Sequence, residues 1–196
     1  MVSRLLALVV ALAFAAAPLT PTPIAATDID GKSWTLLAPA AHQLDLLFFV
    51  AADCPISNRY APEIARICRD YSSRGVRCFM VYPDAAVDAA AVAKHRADYG
   101  LGSTPAIIDR RHQLVDAVGS RVTPEAALYS PAGRVYRGRI DDWYIDVSRA
   151  RLQANRHDLR LALDATLAGR AVAQPETEAI GCFIVSSMPG APGSRR

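Results

Sequence analysis

Four cysteines carry the chemistry open to this sequence: Cys54, Cys68, Cys78 and Cys182. A thiol acts as nucleophile or metal ligand only as its thiolate, so the setting of each decides its use. Cys54 has the most informative setting. It stands in FFVAADCPISNRYAPEI, residues 48–64, where an apolar run gives way to a small acidic patch and then to a segment of helical spacing. Pro55 fits the first helical turn, where its missing N–H costs nothing. Cys54 then falls near the N-cap, facing the free N–H groups and positive pole of the helix. That setting favours thiolate over thiol and predicts a pKa below the free value of about 8.5. The competing reading is a small buried hydrophobe; a strand–helix junction beside proline argues against it.

Cys68 shares the apolar face of this helix with Ile64, Ile67 and Tyr71, and Cys78 alternates inward with Val76 and Met80 on the segment that follows. A helix and the strand returning beneath it bring the two near each other, as a structural disulfide or as two buried thiols. Cys182 stands in ETEAIGCFIVSS, an apolar island after Gln174-Pro175. Ile180, Phe183, Ile184 and Val185 together predict that the island docks on the fold, with Gly181 leaving room beside the sulfur. A free thiol on a loose tail is the other reading. His42, His95 and His112 read as surface positions. His157 reads as a cap-region residue or one approaching the active-site face, and Asp141-Asp142-Trp143-Tyr144 as a solvated loop or the lining of a partner groove. No C-x-x-C-H, P-loop or H-E-x-x-H motif is present, and no cofactor is expected.

The elements that must position Cys54 alternate in type. TDIDGKSWTLL (27–37) has a D-G turn and a short strand, a hairpin-like entrance. LDLLFFVA (44–51) is a run suited to a strand buried on both faces. A helix follows over 55–75, then a strand over 76–83, an Ala-rich helix over 85–100, a short strand over 105–109 and a short helix over 111–119. EAALYSPAGRVYRGRID (125–141) reads as a hairpin with proline second and glycine fourth in its turn. An amphipathic helix over 156–170 carries Leu159, Leu163 and Leu167 on one face. The order predicts an α/β domain with a central mixed sheet and helices on both faces. Chemistry in such sheets sits at the carboxyl ends of the strands, which is where Cys54 falls.

Length and charge bound the rest. The 196 residues, 52% of them apolar, suffice for one domain with a real core. The net charge of +3 is spread along a chain of interleaved charges whose one basic run is Arg195-Arg196, so a nucleic-acid partner is not expected. Arg4 followed by LLALVVALAFAAA reads as a secretory signal peptide over 1–17, with cleavage as late as Ala26; an uncleaved anchor is the alternative. Either places the folded part, 27–170, outside the cytoplasm, in a bacterium the periplasm, where disulfides persist. The mature chain has no expected membrane span. Residues 171–196 form a tail with the cysteine island, ending in a disordered MPGAPGSRR.

On DGKSWTL, LLFFVAADCPISNRYAPEI and RVTPEAALYSPAGRVYRGRID, the sequence resembles the thioredoxin-like superfamily in its redoxin branch, which includes peroxiredoxin-like and TlpA-like exported proteins. The resemblance covers most of 27–170 and implies a thioredoxin-like fold with Cys54 as the active thiol. Thr123-Pro124 matches the family's cis-proline loop beside that cysteine, which implies catalytic or substrate-contacting roles for Pro124, Thr123, Pro55 and Asn58. The family's dithiol members have C-x-x-C; here Ser57 holds the second place, where it bonds the Cys54 thiolate or faces solvent. Peroxiredoxins carry proline seven and Thr or Ser three residues before their cysteine; here Leu47 and Ala51 stand there. An oxidised Cys54 needs a resolving group, and Cys182 is the one available, which predicts a resting Cys54–Cys182 disulfide. The leading function is an exported thiol–disulfide oxidoreductase acting on protein or small-molecule thiols and disulfides. Its rivals are a peroxiredoxin-like hydroperoxide reductase and a non-enzymatic copper-handling protein using Cys54, Cys182 and His157.

Overall fold

A computed structural model of the chain describes residues 22–102 and 104–185. The expected signal peptide at 1–17 and the expected disordered end at 188–196 lie outside the described residues.

The chain opens with an antiparallel hairpin, β1 (Ile24–Thr27) and β2 (Ser33–Leu36), turning at Asp30-Gly31. β3 (Leu44–Phe49) leads into α1 (Pro55–Ser72), and β4 (Val76–Tyr82) into α2 (Ala89–Asp98). β5 (Ala106–Ile108) and α3 (Gln113–Val118) precede β6 (Val122–Thr123), β7 (Glu125–Ser130) and β8 (Gly133–Gly138). A two-stranded ribbon, β9 (Tyr144–Asp146) and β10 (Arg149–Ala150), comes before α4 (Asp158–Leu167), and β11 (Cys182–Phe183) ends the described chain.

Five strands form the central mixed sheet in the order β5-β4-β3-β7-β8. β3, β4 and β5 run parallel, while β7 lies antiparallel to both β3 and β8. Every residue of β3 is buried because both sheet faces are covered. Leu46, Phe48 and Val50 pack with Ile56, Tyr60, Ile64 and Ile67 of α1 and with Leu159 and Leu163 of α4. Leu47 and Phe49 face the other way, onto Leu114, Val115 and Val118 of α3 and onto Leu36 and Trp34 of the hairpin. The α/β class and the helices on both faces are therefore as expected.

One charge interrupts this interior. Asp45 is fully buried, opposite Arg77 on β4, which binds it at 2.6 Å and also donates to the Thr35 carbonyl. Burial raises the Asp45 pKa, while the arginine pulls it back down. An ion pair placed like this ties the hairpin to the sheet; removing one partner would leave the other charge stranded.

Several boundaries differ from the sequence reading. α2 starts at Ala89, not near 85, because Asp88 caps it by accepting from Ala91 N at 2.7 Å and Asp84 folds the preceding turn through Ala86 N. α4 is shorter than 156–170 at both ends. The ribbon β9–β10 and the strands β6 and β11 do not follow from the sequence pattern. The tail also has more structure than an island. Arg137 N donates to Pro175 O and Thr177 N to Arg137 O, so residues 175–177 run along the open edge of β8. Thr177 Oγ1 accepts from Arg139 N and shares a hydrogen bond with Tyr136 OH. Gly138, at φ +145°, permits this approach: a Cβ there would collide with Thr177.

Cys68 and Cys78 form a disulfide between α1 and β4, with Cα atoms 5.8 Å apart. A ten-residue separation closes a short loop. Replacing both by alanine is expected to cost about 2 to 3 kcal/mol, read as a lower urea midpoint, with Cys54 chemistry unchanged.

Candidate active site

The site is built where β3 ends and α1 begins. Val50 N still bonds to Val81 O, after which the chain leaves the sheet through Ala51, Ala52 and Asp53. Cys54 is the N-cap of α1, in extended backbone, and its carbonyl accepts the first helical bond, from Asn58 N at 3.0 Å. Pro55, exposed, occupies the first helical position, where no N–H is needed. Cys54 itself is 1% exposed, and its Sγ lies 3.2 Å from the carbonyl oxygen of Thr123.

Thr123 and Pro124 approach from β6. Both are buried, and the peptide bond between them is cis. Against their outer side lies β11, antiparallel, with Cys182 opposite Thr123 and Phe183 opposite Val122; Ile184 N continues the pairing to Arg121 O. Cys54 and Cys182 are joined as a disulfide with Cα atoms 6.1 Å apart, across 128 residues of sequence. Gly181 makes the approach possible, since a Cβ on it would collide with the Thr123 carbonyl. The island is two-faced: Ile180 and Ile184 pack inward, whereas Phe183 and Val185 are each 85% exposed. A groove of about 460 Å³ runs over the disulfide, between Pro83 to Ala86 and the strand Cys182 to Val185.

The remaining candidate residues brace the loop. Ser57 is buried and does not face solvent; its Oγ accepts from Ala51 N at 3.4 Å. Asn58 donates from Nδ2 to the Ala52 carbonyl and accepts through Oδ1 from His95 Nε2 at 2.8 Å. His95 Nδ1 in turn meets Tyr82 OH at 2.8 Å. The three bonds agree in polarity when Tyr82 donates to Nδ1 and His95 carries its proton on Nε2. His95 is buried, against the expectation of a surface position. So is His112, whose Nε2 bonds to Pro83 O at 2.8 Å beside the groove. A signal for His95 exists in the sequence: it follows Val92 by three residues, and these two are the buried positions of α2.

His42 lies at the surface as expected, and His157 stands exposed at the start of α4, its ring 3.8 Å from Asp141. His157 does not line the groove over the two sulfurs. Asp141 is not solvated: it is buried, accepting from Tyr60 OH at 2.6 Å and Trp143 N at 2.9 Å, and with Trp143 it lines a cleft beside Arg59 and Leu152, away from the disulfide. Burial raises its pKa and that of Tyr60. Asp142 Oδ1 accepts from Asn155 N and Arg156 N, closing the loop before α4. Among the described residues no cluster of three His, Cys, Asp or Glu side chains suits a metal ion.

No protein-family model matches the sequence, and no curated protein does. Solved structures do. The chain is similar to a hypothetical protein from Sinorhizobium meliloti 1021, with 25% identity, a TM-score of 0.73, and 87% of this chain and 94% of that one covered. An uncharacterized conserved protein from Geobacillus kaustophilus has 24% identity and a TM-score of 0.76, over 90% and 94% of the two chains. A thiol-disulfide oxidoreductase from Bacteroides fragilis NCTC 9343 has 18% identity and a TM-score of 0.52, over 60% and 88%. The shared architecture is thioredoxin-like, as the sequence resemblance implied.

Two outcomes follow from this geometry. Burial lowers the His95 pKa, so the folded protein holds the ring neutral. As pH falls below about 6.5, the unfolded chain takes up the proton first and the folded state loses stability. The stability advantage of wild type over His95→Gln should therefore shrink as pH is lowered from about 7 to about 5, measured by denaturant titration. Separately, Gly181→Val should lift β11 from Thr123, so that Cys54 in the air-oxidised protein becomes open to alkylation.

Proposed function

We propose that this chain is an exported thiol–disulfide oxidoreductase whose redox centre is the Cys54–Cys182 pair. One observation carries the reading: a cysteine at the N-cap of α1 is paired with a tail cysteine directly against the Thr123-Pro124 loop. In this reading residues 1–17 are a cleaved signal peptide, 27–170 the catalytic domain, and 171–196 a tail that brings the second thiol. Export to the periplasm suits a centre that cycles through a disulfide. Partners are protein or small-molecule thiols and disulfides. Among the described residues no helix is long and apolar enough to cross a membrane. The fold shared with the thiol-disulfide oxidoreductase from Bacteroides fragilis supports the class of reaction.

The roles follow from position. Cys54 is the nucleophilic thiolate: the positive end of an 18-residue helix stabilises the negative sulfur. Cys182 resolves it by closing the disulfide, the task that Ser57 cannot perform. Thr123 and Pro124 form the wall against which sulfur chemistry takes place, and Pro55 offers the exposed shoulder beside it. Ser57 and Asn58 hold the Ala51–Asp53 loop, and thereby Cys54, in place. Peroxide reduction is disfavoured because Ala51 has no hydroxyl to direct a peroxide onto the sulfur.

The test is disulfide exchange by the purified mature protein. Wild type should reduce insulin disulfides at the expense of dithiothreitol. Cys54→Ser and Cys182→Ser should each fall to the rate of dithiothreitol alone. Hydrogen peroxide should be consumed no faster than by free cysteine. Rapid peroxide turnover lost in Cys54→Ser would instead make the protein a hydroperoxide reductase.

A further inference from the structure

The two sulfurs of the disulfide stand in different surroundings. Cys54 is 1% exposed and belongs to the core cluster with Val50, Ile56 and Tyr60, while its sulfur faces the Thr123 carbonyl. Cys182 is only half-buried, on a two-residue strand at the rim of the groove, followed by the largely exposed Phe183. Thiol–disulfide exchange depends on which sulfur an incoming thiolate can reach and on how readily the other leaves. A thiolate attacks in line with the bond it breaks. Attack on Cys54 would therefore need access to a sulfur whose residue is 1% exposed and packed with Val50, Ile56 and Tyr60. Attack on the half-buried Cys182, at the groove, expels Cys54.

We infer that partners exchange with this protein through Cys182, and that Cys54 serves as the buried leaving group and internal nucleophile. The inference rests on the oxidoreductase reading of the Cys54–Cys182 pair and, within it, exchanges the attacking and resolving roles of the two cysteines. A partner thiol loses its proton to solvent, and its thiolate attacks Cys182 Sγ. The bond from partner sulfur to Cys182 forms as the Cys182–Cys54 bond breaks, and the electron pair of the broken bond departs on Cys54 as thiolate. The helix end that receives this charge favours the departure. A second thiolate, from the same partner or another thiol molecule, then attacks the partner sulfur of the mixed disulfide and releases Cys182 as thiolate. The partner thiols end as a disulfide, and the protein gains two electrons. In the reducing direction the same steps run backwards: Cys182 attacks the partner disulfide, and Cys54 then attacks Cys182 and releases the partner. Cys54 keeps its nucleophilic role, but towards Cys182 and not towards the partner.

The outward face of the tail fits this order. Phe183 and Val185 follow the entry sulfur and are each 85% exposed, so the partner-facing thiol carries its own apolar contact surface.

Mapping the first mixed disulfide tests the order with wild-type protein alone. Oxidised protein is mixed briefly with reduced glutathione, quenched in acid, alkylated with N-ethylmaleimide and digested. The earliest adduct should hold glutathione on Cys182 and the maleimide on Cys54. Glutathione on Cys54 with the maleimide on Cys182 overturns the assignment and leaves the oxidoreductase reading intact. An unbroken Cys54–Cys182 bond with no adduct at any time overturns both.

Discussion

The backbone of Thr123 is the constraint on which the site depends. Its carbonyl faces the Cys54 sulfur, its main chain pairs with Cys182, and Gly181 packs directly over it. Pro124 follows and has no N–H to offer, so β6 is confined to two residues and can hold only a short partner strand. The short strand β11 is that partner. One backbone position thus sets how close the helix, the loop and the tail can come, and the disulfide is the chemical result of that closeness.

The rest of the domain holds the two sides of this contact still. β3 delivers Cys54 to the sheet end, and a slip of the strand by one residue would part buried Asp45 from Arg77, opposite it on β4. The loop that follows has no regular structure of its own and is fixed from within by Ser57 Oγ, Asn58 and, behind Asn58, His95 and Tyr82. Such a chain of buried hydrogen bonds is useful only if every member is satisfied. On the opposite side, Glu125 accepts from Ser120 Oγ and Arg121 N, fastening the turn that leads into β6. The tail is then held twice, by the edge of β8 at Pro175 to Thr177 and by β6 at Cys182 to Ile184.

Much of this is legible in the amino-acid sequence. The apolar run ahead of Cys54, the proline after it and the helical spacing of Ile64, Ile67 and Tyr71 locate the junction from local rules alone. The same rules pair Cys68 with Cys78, although they leave open whether the sulfurs are bonded. What escapes them depends on tertiary partners. His95 sits among polar neighbours in AKHRADYG, and its burial comes from Tyr82 and Asn58, which lie on other elements. His112 bends back onto Pro83 through a left-handed backbone, at φ +54°, that its neighbours in sequence do not announce. β11 has no strand pattern long enough to see: its inward Cys182 and Ile184 alternate with exposed Phe183 and Val185 only because β6 is there to receive them. The Asp141 loop reads as solvated or as groove-lining, and composition alone does not choose; Tyr60 buries its first carboxylate.

The double hold on the tail has a consequence for competition with free thiols. Thr177 is anchored to β8, and four residues, Glu178 to Gly181, separate it from Cys182. Even with the disulfide open, the second thiol stays tethered within a few residues of the Thr177 anchor. A short tether of this kind gives an effective local concentration on the order of millimolar or above. The internal cysteine therefore competes on level terms with a millimolar pool of free thiols, and the poise of the pair is set as much by the length of this tether as by the acidity of either sulfur.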